Sequence, residues 1–209
     1  LCLNYDGRYG LNNINNYFQD ANTASEAYAW KEWKYKIGDP ILFNDTKRFP
    51  QLYNNLKGWI VDISKEEDSI TFTVDIATNL TGIDARNGDF EILDFMETTT
   101  RIRFSVYENH GGTTEEEREI ARMESIVPFQ LAYAVSIHKS QGLEYNSVKI
   151  VIPKSNSEKV SHGVFYTAIT RAKEKLRIYS SAETLDKIVK GFKSNGSKGR
   201  SLEIIKRKL

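Results

Sequence analysis

The sequence predicts an α/β chain interrupted by an all-β insert, on three observations. Short runs rich in β-branched and aromatic residues fill positions 40–107. Continuous apolar runs of the kind buried on both faces of a parallel sheet follow after Pro128. The charge also changes sign between the two patterns: residues 1–127 carry 13 Lys+Arg against 22 Asp+Glu, and residues 128–209 carry 16 against 6, within a total of +1. The basic C-terminal part permits a polyanion partner, because Lys and Arg gain by releasing counterions from phosphates. A solvated basic tail, KSNGSKGRSLEIIKRKL, accounts for part of the same surplus.

The elements follow in order. Leu1 to Asn4 reads as a buried strand ending in a turn at Asp6, Gly7 and Gly10. In GLNNINNYFQDA, Leu11, Ile14, Tyr17 and Phe18 form one apolar stripe of a helix, which leaves its Asn-rich face in water. An aromatic stretch with Tyr28, Trp30, Trp33 and Tyr35 then stops at Gly38-Asp39-Pro40, and both tryptophans read as core. PILF, GWIVDI, SITFTVDI, FEILDFM and TRIRFSVYE are five strands separated by polar turns such as TGIDARNG, which together predict a small antiparallel β-barrel or rolled sheet. Thr113 or Thr114 before a run of glutamates starts an acidic, exposed helix. Beyond it, LAYAV, VKIVI and KLRIYS are the buried strands, SHGVFYTAITRAKEK is a helix between the last two, and ETLDKIVKGFK is a final amphipathic helix. The domain reading is a discontinuous α/β domain over 1–37 and 128–209, with 38–127 inserted as the β domain and its acidic connector.

Several function classes fall away. The 209 residues, 40% hydrophobic, suffice for a sizeable core. No window approaches 18 apolar residues and the first ten residues lack the regions of a signal peptide, so a cytoplasmic protein with no membrane partner is expected. A single cysteine, Cys2, and three histidines, His110, His138 and His162, argue against disulfide or metal chemistry. Because the chain opens on Leu1, it reads as a piece of something longer. There is no GxxxxGK[ST], GxGxxG or HExxH, and no catalytic constellation is complete.

Polar residues do gather at the ends of the buried strands, where open α/β sheets place ligands. The first group is Ser136-Ile137-His138-Lys139-Ser140-Gln141-Gly142-Leu143-Glu144, in which Gly142 lets a phosphate or ribose approach the backbone. Taken alone it reads first as a polar loop capping a helix. The second runs from Tyr166 to Lys173 on the helix before KLRIY, and its Arg171 is either a surface charge or a fork for a phosphate.

In this order the two groups are no longer anonymous. LAYAVSIHKSQGLEYNSVKIVI followed by FYTAITRAKEKLRIY closely resembles motifs V and VI of superfamily-one DNA helicases, above all the RecD-like branch and the related UvrD-like C-terminal domain. LCLNYDGRYGLNNINNYFQ resembles the region around motif IV, and 38–107 resembles the small β domain inserted in that branch. The resemblance implies a second RecA-like motor domain: a P-loop-NTPase-like parallel sheet without the P-loop. ATP and Mg²⁺ would be bound against an N-terminal RecA-like domain missing here, which supplies the phosphate loop and the magnesium carboxylate. By the same resemblance Arg171 is the catalytic arginine finger, Gln141, Gly142 and Glu144 line the nucleotide, and Ser136, His138 and Lys139 face single-stranded DNA, with RNA left open. The 209 residues alone would then bind ATP weakly and hydrolyse essentially none. Two alternatives stand beside this reading: a non-catalytic nucleic-acid-binding module, and a protein-interaction module built on the acidic, aromatic insert.

Overall fold

The computed structural model describes residues 1–23, 26–154 and 160–194. The basic tail and the Ser/Gly/Lys-rich stretch, beyond residue 194, lie outside the described residues. Contacts divide the chain into Leu1–Asn16 with Ala134–Leu209 (unit 1) and Tyr17–Tyr133 (unit 2). These breaks, after residues 16 and 133, stand beside the expected ones after 37 and 127. The aromatic stretch and the residues after Pro128 both pack with the insert, which is why unit 2 extends past the expected limits at both ends.

In chain order the elements of unit 2 begin in α1 (Leu11–Ala21), which starts in unit 1, and continue with the hairpin β1 (Tyr28–Trp30) and β2 (Trp33–Tyr35). Then come β3 (Pro40–Phe43), β4 (Lys57–Lys65), β5 (Ser69–Ile76), α2 (Gly82–Asn87), β6 (Glu91–Phe95), β7 (Thr100–Tyr107), α3 (Glu115–Glu124) and β8 (Phe129–Leu131). The five strands legible in the sequence are all present. A sixth, β8, joins them, giving an antiparallel sheet in the order β6-β7-β5-β4-β3-β8. The expected barrel does not close: β6 and β8 are the ends of that order, and among the described residues no ladder joins them. Closure needs the two terminal strands to pair along their length, and here they have five and three residues.

Alternation along β7, TRIRFSVY, puts Ile102, Phe104 and Val106 inside, while Arg101 and Arg103 bond outward to Asp75 and Glu91. The interior is aromatic. Ring centroids lie 5.1 Å apart for Tyr35 and Phe72, Phe72 and Phe129, and Phe49 and Phe104, in edge-to-face or tilted arrangements. Each such pair adds about 0.5–1.5 kcal/mol beyond burial. Burial pushes the Tyr35 phenol well above its ordinary value. Trp30 is in this core, but Trp33 is 51% exposed, so only one of the two tryptophans expected inside is there. TGIDARNG, expected as a turn, is the short helix α2, because the Asp84 carboxylate accepts from the Thr81 N–H and hydroxyl at 2.7 and 2.6 Å and fixes a first turn. The acidic α3 behaves as expected: Thr114 Oγ1 accepts from the Glu117 N–H at 3.2 Å, Glu117 reaches back to both threonines, and no residue of the helix is buried.

Unit 1 continues with β9 (Tyr145–Val151), α4 (His162–Ile169), β10 (Ala172–Tyr179) and α5 (Ala182–Ser194). β9 and β10 pair in parallel. The N-terminal residues belong beside them, as the sequence indicates: Val151 N–H donates to Leu1 O at 3.3 Å, Cys2 bridges Ser136 in parallel, Cys2 N–H donates to Val135 O and Ile137 N–H to Cys2 O, both at 3.0 Å. The order is therefore 135–137, 1–3, β9, β10. Leu1 and Leu3 pack with Val148, Ile150, Phe165 and Ile188, whereas Cys2 packs with Leu11 and Ala134, the alternation of a strand covered on both sides.

Three expectations change. LAYAV is not one strand: Leu131 pairs antiparallel with Ile41 in unit 2, and only Val135–Ile137 takes part in the parallel arrangement. The helix expected to run through TRAKEK ends at Ile169, because pairing with β9 begins at Ala172 and claims the backbone there; the Thr170 hydroxyl bonds back to the Tyr166 and Thr167 carbonyls of the last turn. In α1 the expected apolar stripe holds at Leu11 and Ile14 and fails beyond them. Asn15 and Gln19 are 6% and 5% exposed, while Tyr17 and Phe18 are 72% and 45% exposed. The Asn15 carboxamide exchanges two hydrogen bonds with the Ala134 backbone, a buried demand that helical periodicity cannot reveal. Among the described residues no helix is long and apolar enough to cross a membrane.

Candidate functional site

The site is built in unit 1 from the turn that follows the 135–137 segment. Ser136 is buried, and its Oγ accepts from the Lys139 N–H at 3.2 Å. Its carbonyl accepts from Ser140 N–H at 3.0 Å. Ser140, fully buried, donates its hydroxyl to Ile137 O at 2.7 Å. Gln141 N–H to His138 O and Leu143 N–H to Ser140 O close two further turns. Gly142 sits at φ +82° with nothing within 4 Å of where a side chain would begin, so this position both needs glycine and is open on that side. The two serines thus brace the turn, and His138, Gln141 and Glu144 are left exposed on it. A strand-facing role for the Ser136 hydroxyl departs from this geometry, since that oxygen is inside and already engaged.

Arg171 stands between the end of α4 and the start of β10, and its fork is directed onto this turn. Nε donates to Thr167 O at 3.0 Å, Nη2 to Thr170 Oγ1 at 3.0 Å, and Nη1 to Leu143 O at 3.1 Å. Its own carbonyl accepts from the Tyr145 N–H at 2.9 Å. A guanidinium has five N–H donors, so three bonds hold the group in place and two N–H remain for an anion. Beside it the Glu144 carboxylate pairs with Lys173 Nζ at 3.0 Å, with both side chains more than half exposed. An exposed pair of this kind is worth about 0–1 kcal/mol and yields readily to another partner. The two polar segments read from the sequence therefore form one wall. Sequence reasoning missed the acceptor that joins them, the Leu143 carbonyl, because a backbone group leaves no signature in side-chain pattern.

The wall combines glycine backbone exposed beside a parallel pair, an arginine held by three bonds, and a carboxamide and a carboxylate within the same turn. Among the described residues no group of three or more His, Cys, Asp or Glu side chains is placed to hold a metal ion.

Residues 131–179, which contain the whole of this wall, match the family described as the UvrD-like helicase C-terminal domain. This segment is similar to the C-terminal domains of UvrD-like helicases. Similarity extends beyond it. The RecBCD enzyme subunit RecD of Buchnera aphidicola subsp. Schizaphis graminum is 25% identical over 193 residues, 90% of this chain and 26% of that protein. The RecD subunit of Mycobacterium tuberculosis is 41% identical over 49 residues, 23% of this chain and 8% of that one. A crystal structure of a Pif1 helicase from Bacteroides is similar with a TM-score of 0.42 and 16% identity over 94% of this chain and 46% of its own. The chain spans about a quarter of the length of the Buchnera RecD proteins it matches.

Proposed function

We propose that this chain is the second motor domain of an ATP-dependent DNA helicase or translocase, contributing one wall of a nucleotide site whose other wall belongs to an N-terminal RecA-like domain of the parent protein. The single observation that carries the reading is the 3.1 Å bond from Arg171 to Leu143 O, which makes one surface of the two segments that carry the helicase resemblance.

The division of labour follows from the side chains. Arg171 is the arginine finger: its charge is permanent and delocalised, and three bonds hold it before any ligand arrives, so little rotamer freedom is lost on contact with a phosphoryl group. Gln141 and the backbone at Gly142 line the phosphate side, and Glu144 exchanges its lysine partner for a ribose hydroxyl. His138 and Lys139 hold strand phosphates without reading bases, and Ser136 keeps their turn in shape. ATP supplies the free energy of phosphoryl transfer; the magnesium carboxylates come from the other domain. Because the strand-holding and nucleotide-lining residues lie in one nine-residue turn, a displacement of Arg171 is felt at Lys139. Single-stranded DNA is the proposed partner, and the 209 residues alone are proposed to be inactive.

The test is Arg171→Ala in the full-length parent. ATP turnover falls by roughly 10³- to 10⁵-fold, as for fingers elsewhere, while strand binding stays near wild type. Retained turnover would overturn the finger assignment.

A further inference from the structure

Unit 2 contains a buried carboxylate that belongs neither to the aromatic core nor to the 136–144 turn. Asp39 is fully buried, and among the described residues no Lys or Arg pairs with it. Four donors surround it instead. Gln19 Nε2 and the Lys36 N–H reach Oδ2 at 2.5 and 2.8 Å, and Asn22 Nδ2 and the Tyr133 hydroxyl reach Oδ1 at 3.3 and 2.8 Å. Loss of solvent and the bond to Asp39 push the Tyr133 phenol up to about 12. Lys36 Nζ completes the cluster by donating to Gln19 O and Asn22 O at the end of α1, at 3.0 and 2.7 Å.

A buried carboxyl group is tolerated only where donors converge on it. The origin of these donors is the informative point. Gln19 and Asn22 belong to the stretch in which the chain enters unit 2, and Tyr133 is the residue at which it leaves. The chain passes between the units only at 16/17 and 133/134. Unit 1 ties the same two segments on its own side, through the paired bonds of Asn15 with the Ala134 backbone.

We propose that Asp39 is a latch whose carboxylate fastens, within unit 2, both segments by which that unit is continuous with unit 1. It is a positioning residue: it touches no ligand, and it holds the residue that lies three positions before Ser136. The latch rests on the hydrogen-bond geometry alone; its consequence for the grip of the 136–144 turn rests on the helicase reading.

The test is amide hydrogen exchange in the 209-residue chain, followed by NMR. Asp39→Asn keeps the shape but turns an N–H toward donors. Exchange of the Ala134 N–H, which bonds to Asn15 and not to Asp39, accelerates by about tenfold or more, as do the last amides of α1, while the amides of β5 and β7 keep their rates. Tyr133→Phe removes one bond with no change of packing and gives a smaller acceleration at the same amides, which keeps the test decisive if the first variant does not fold. An Ala134 rate unchanged in both variants, or an equal acceleration throughout the sheet, would overturn the latch. Neither readout involves ATP or DNA, so failure of the helicase reading and failure of the latch are separable.

Discussion

Unit 2 and the 136–144 turn of unit 1 use polar groups in opposite ways. In the six-stranded sheet two outward arginines are matched within it: Arg101 lies in a fork on Asp75 at 2.7 and 2.9 Å, and Arg103 reaches Glu91. Inside, six aromatic rings, Tyr35, Phe43, Phe49, Phe72, Phe104 and Phe129, interlock. In the turn, by contrast, the buried hydroxyls of Ser136 and Ser140 are spent on shape, and the groups left on the surface keep donors and acceptors in hand. Stability and, on the proposed function, ligand contacts are therefore kept in different places. Substitutions in the sheet are expected to alter folding, and substitutions at the turn to alter ligand affinity or rate.

The largest expected effect that sharpens this contrast is the loss of turnover in Arg171→Ala, with the folded state retained despite three lost bonds. Second is Phe72→Ala, which removes a fully buried ring from the sheet's core and costs about 3–5 kcal/mol, read from denaturant unfolding. A cost below about 1 kcal/mol would mean the aromatic cluster is not what holds the sheet. Third is Lys139→Ala in the parent protein. It weakens single-strand binding by a similar factor for every base sequence and lowers the slope of log affinity against log salt by about one, with stability within about 0.5 kcal/mol of wild type. Dependence on base identity would contradict a backbone contact and break the assignment of the turn.

The smallest effect is electrostatic and belongs to α3. The Thr113 hydroxyl, with the N–H groups of Thr114 and Thr113, holds the Glu117 carboxyl below its ordinary value of 4.5. A carboxyl depressed on folding stabilises above its unfolded value, and that support disappears as pH falls through the lower folded one. Helical chemical shifts of α3 are thus expected to hold at neutral pH and to fade below about pH 4.5, while those of β5 and β7 stay constant. Fraying of α3 with the same profile in Glu117→Gln would exclude this carboxyl as the cause.

Local signals carried much of this structure. The β-branched runs located all five inserted strands, and the polar cluster with Gly142 located the turn where the family match falls. What was illegible depended on partners distant in sequence. The periodicity of α1 gave a helix of the right extent and placed Leu11 and Ile14 correctly, but it missed the burial of Asn15, which answers the Ala134 backbone 119 residues away. LAYAV is apolar throughout, so nothing in it marks the point where Leu131 pairs with Ile41 and Val135 turns to Cys2. Arg171 was legible as a residue, but its position off the helix was not, since the pairing of Ala172 with Tyr145 that takes the chain out of α4 involves a partner 27 residues away.

α3 contributes nothing to any core and is held by its ends: the Thr114 cap at one, and at the other the Ser125 carbonyl, which accepts from Lys31 Nζ at 2.6 Å. With no buried residue on α3, substitutions on its exposed face leave the sheet undisturbed. It is accordingly the place in this chain to graft a fluorophore or an affinity tag.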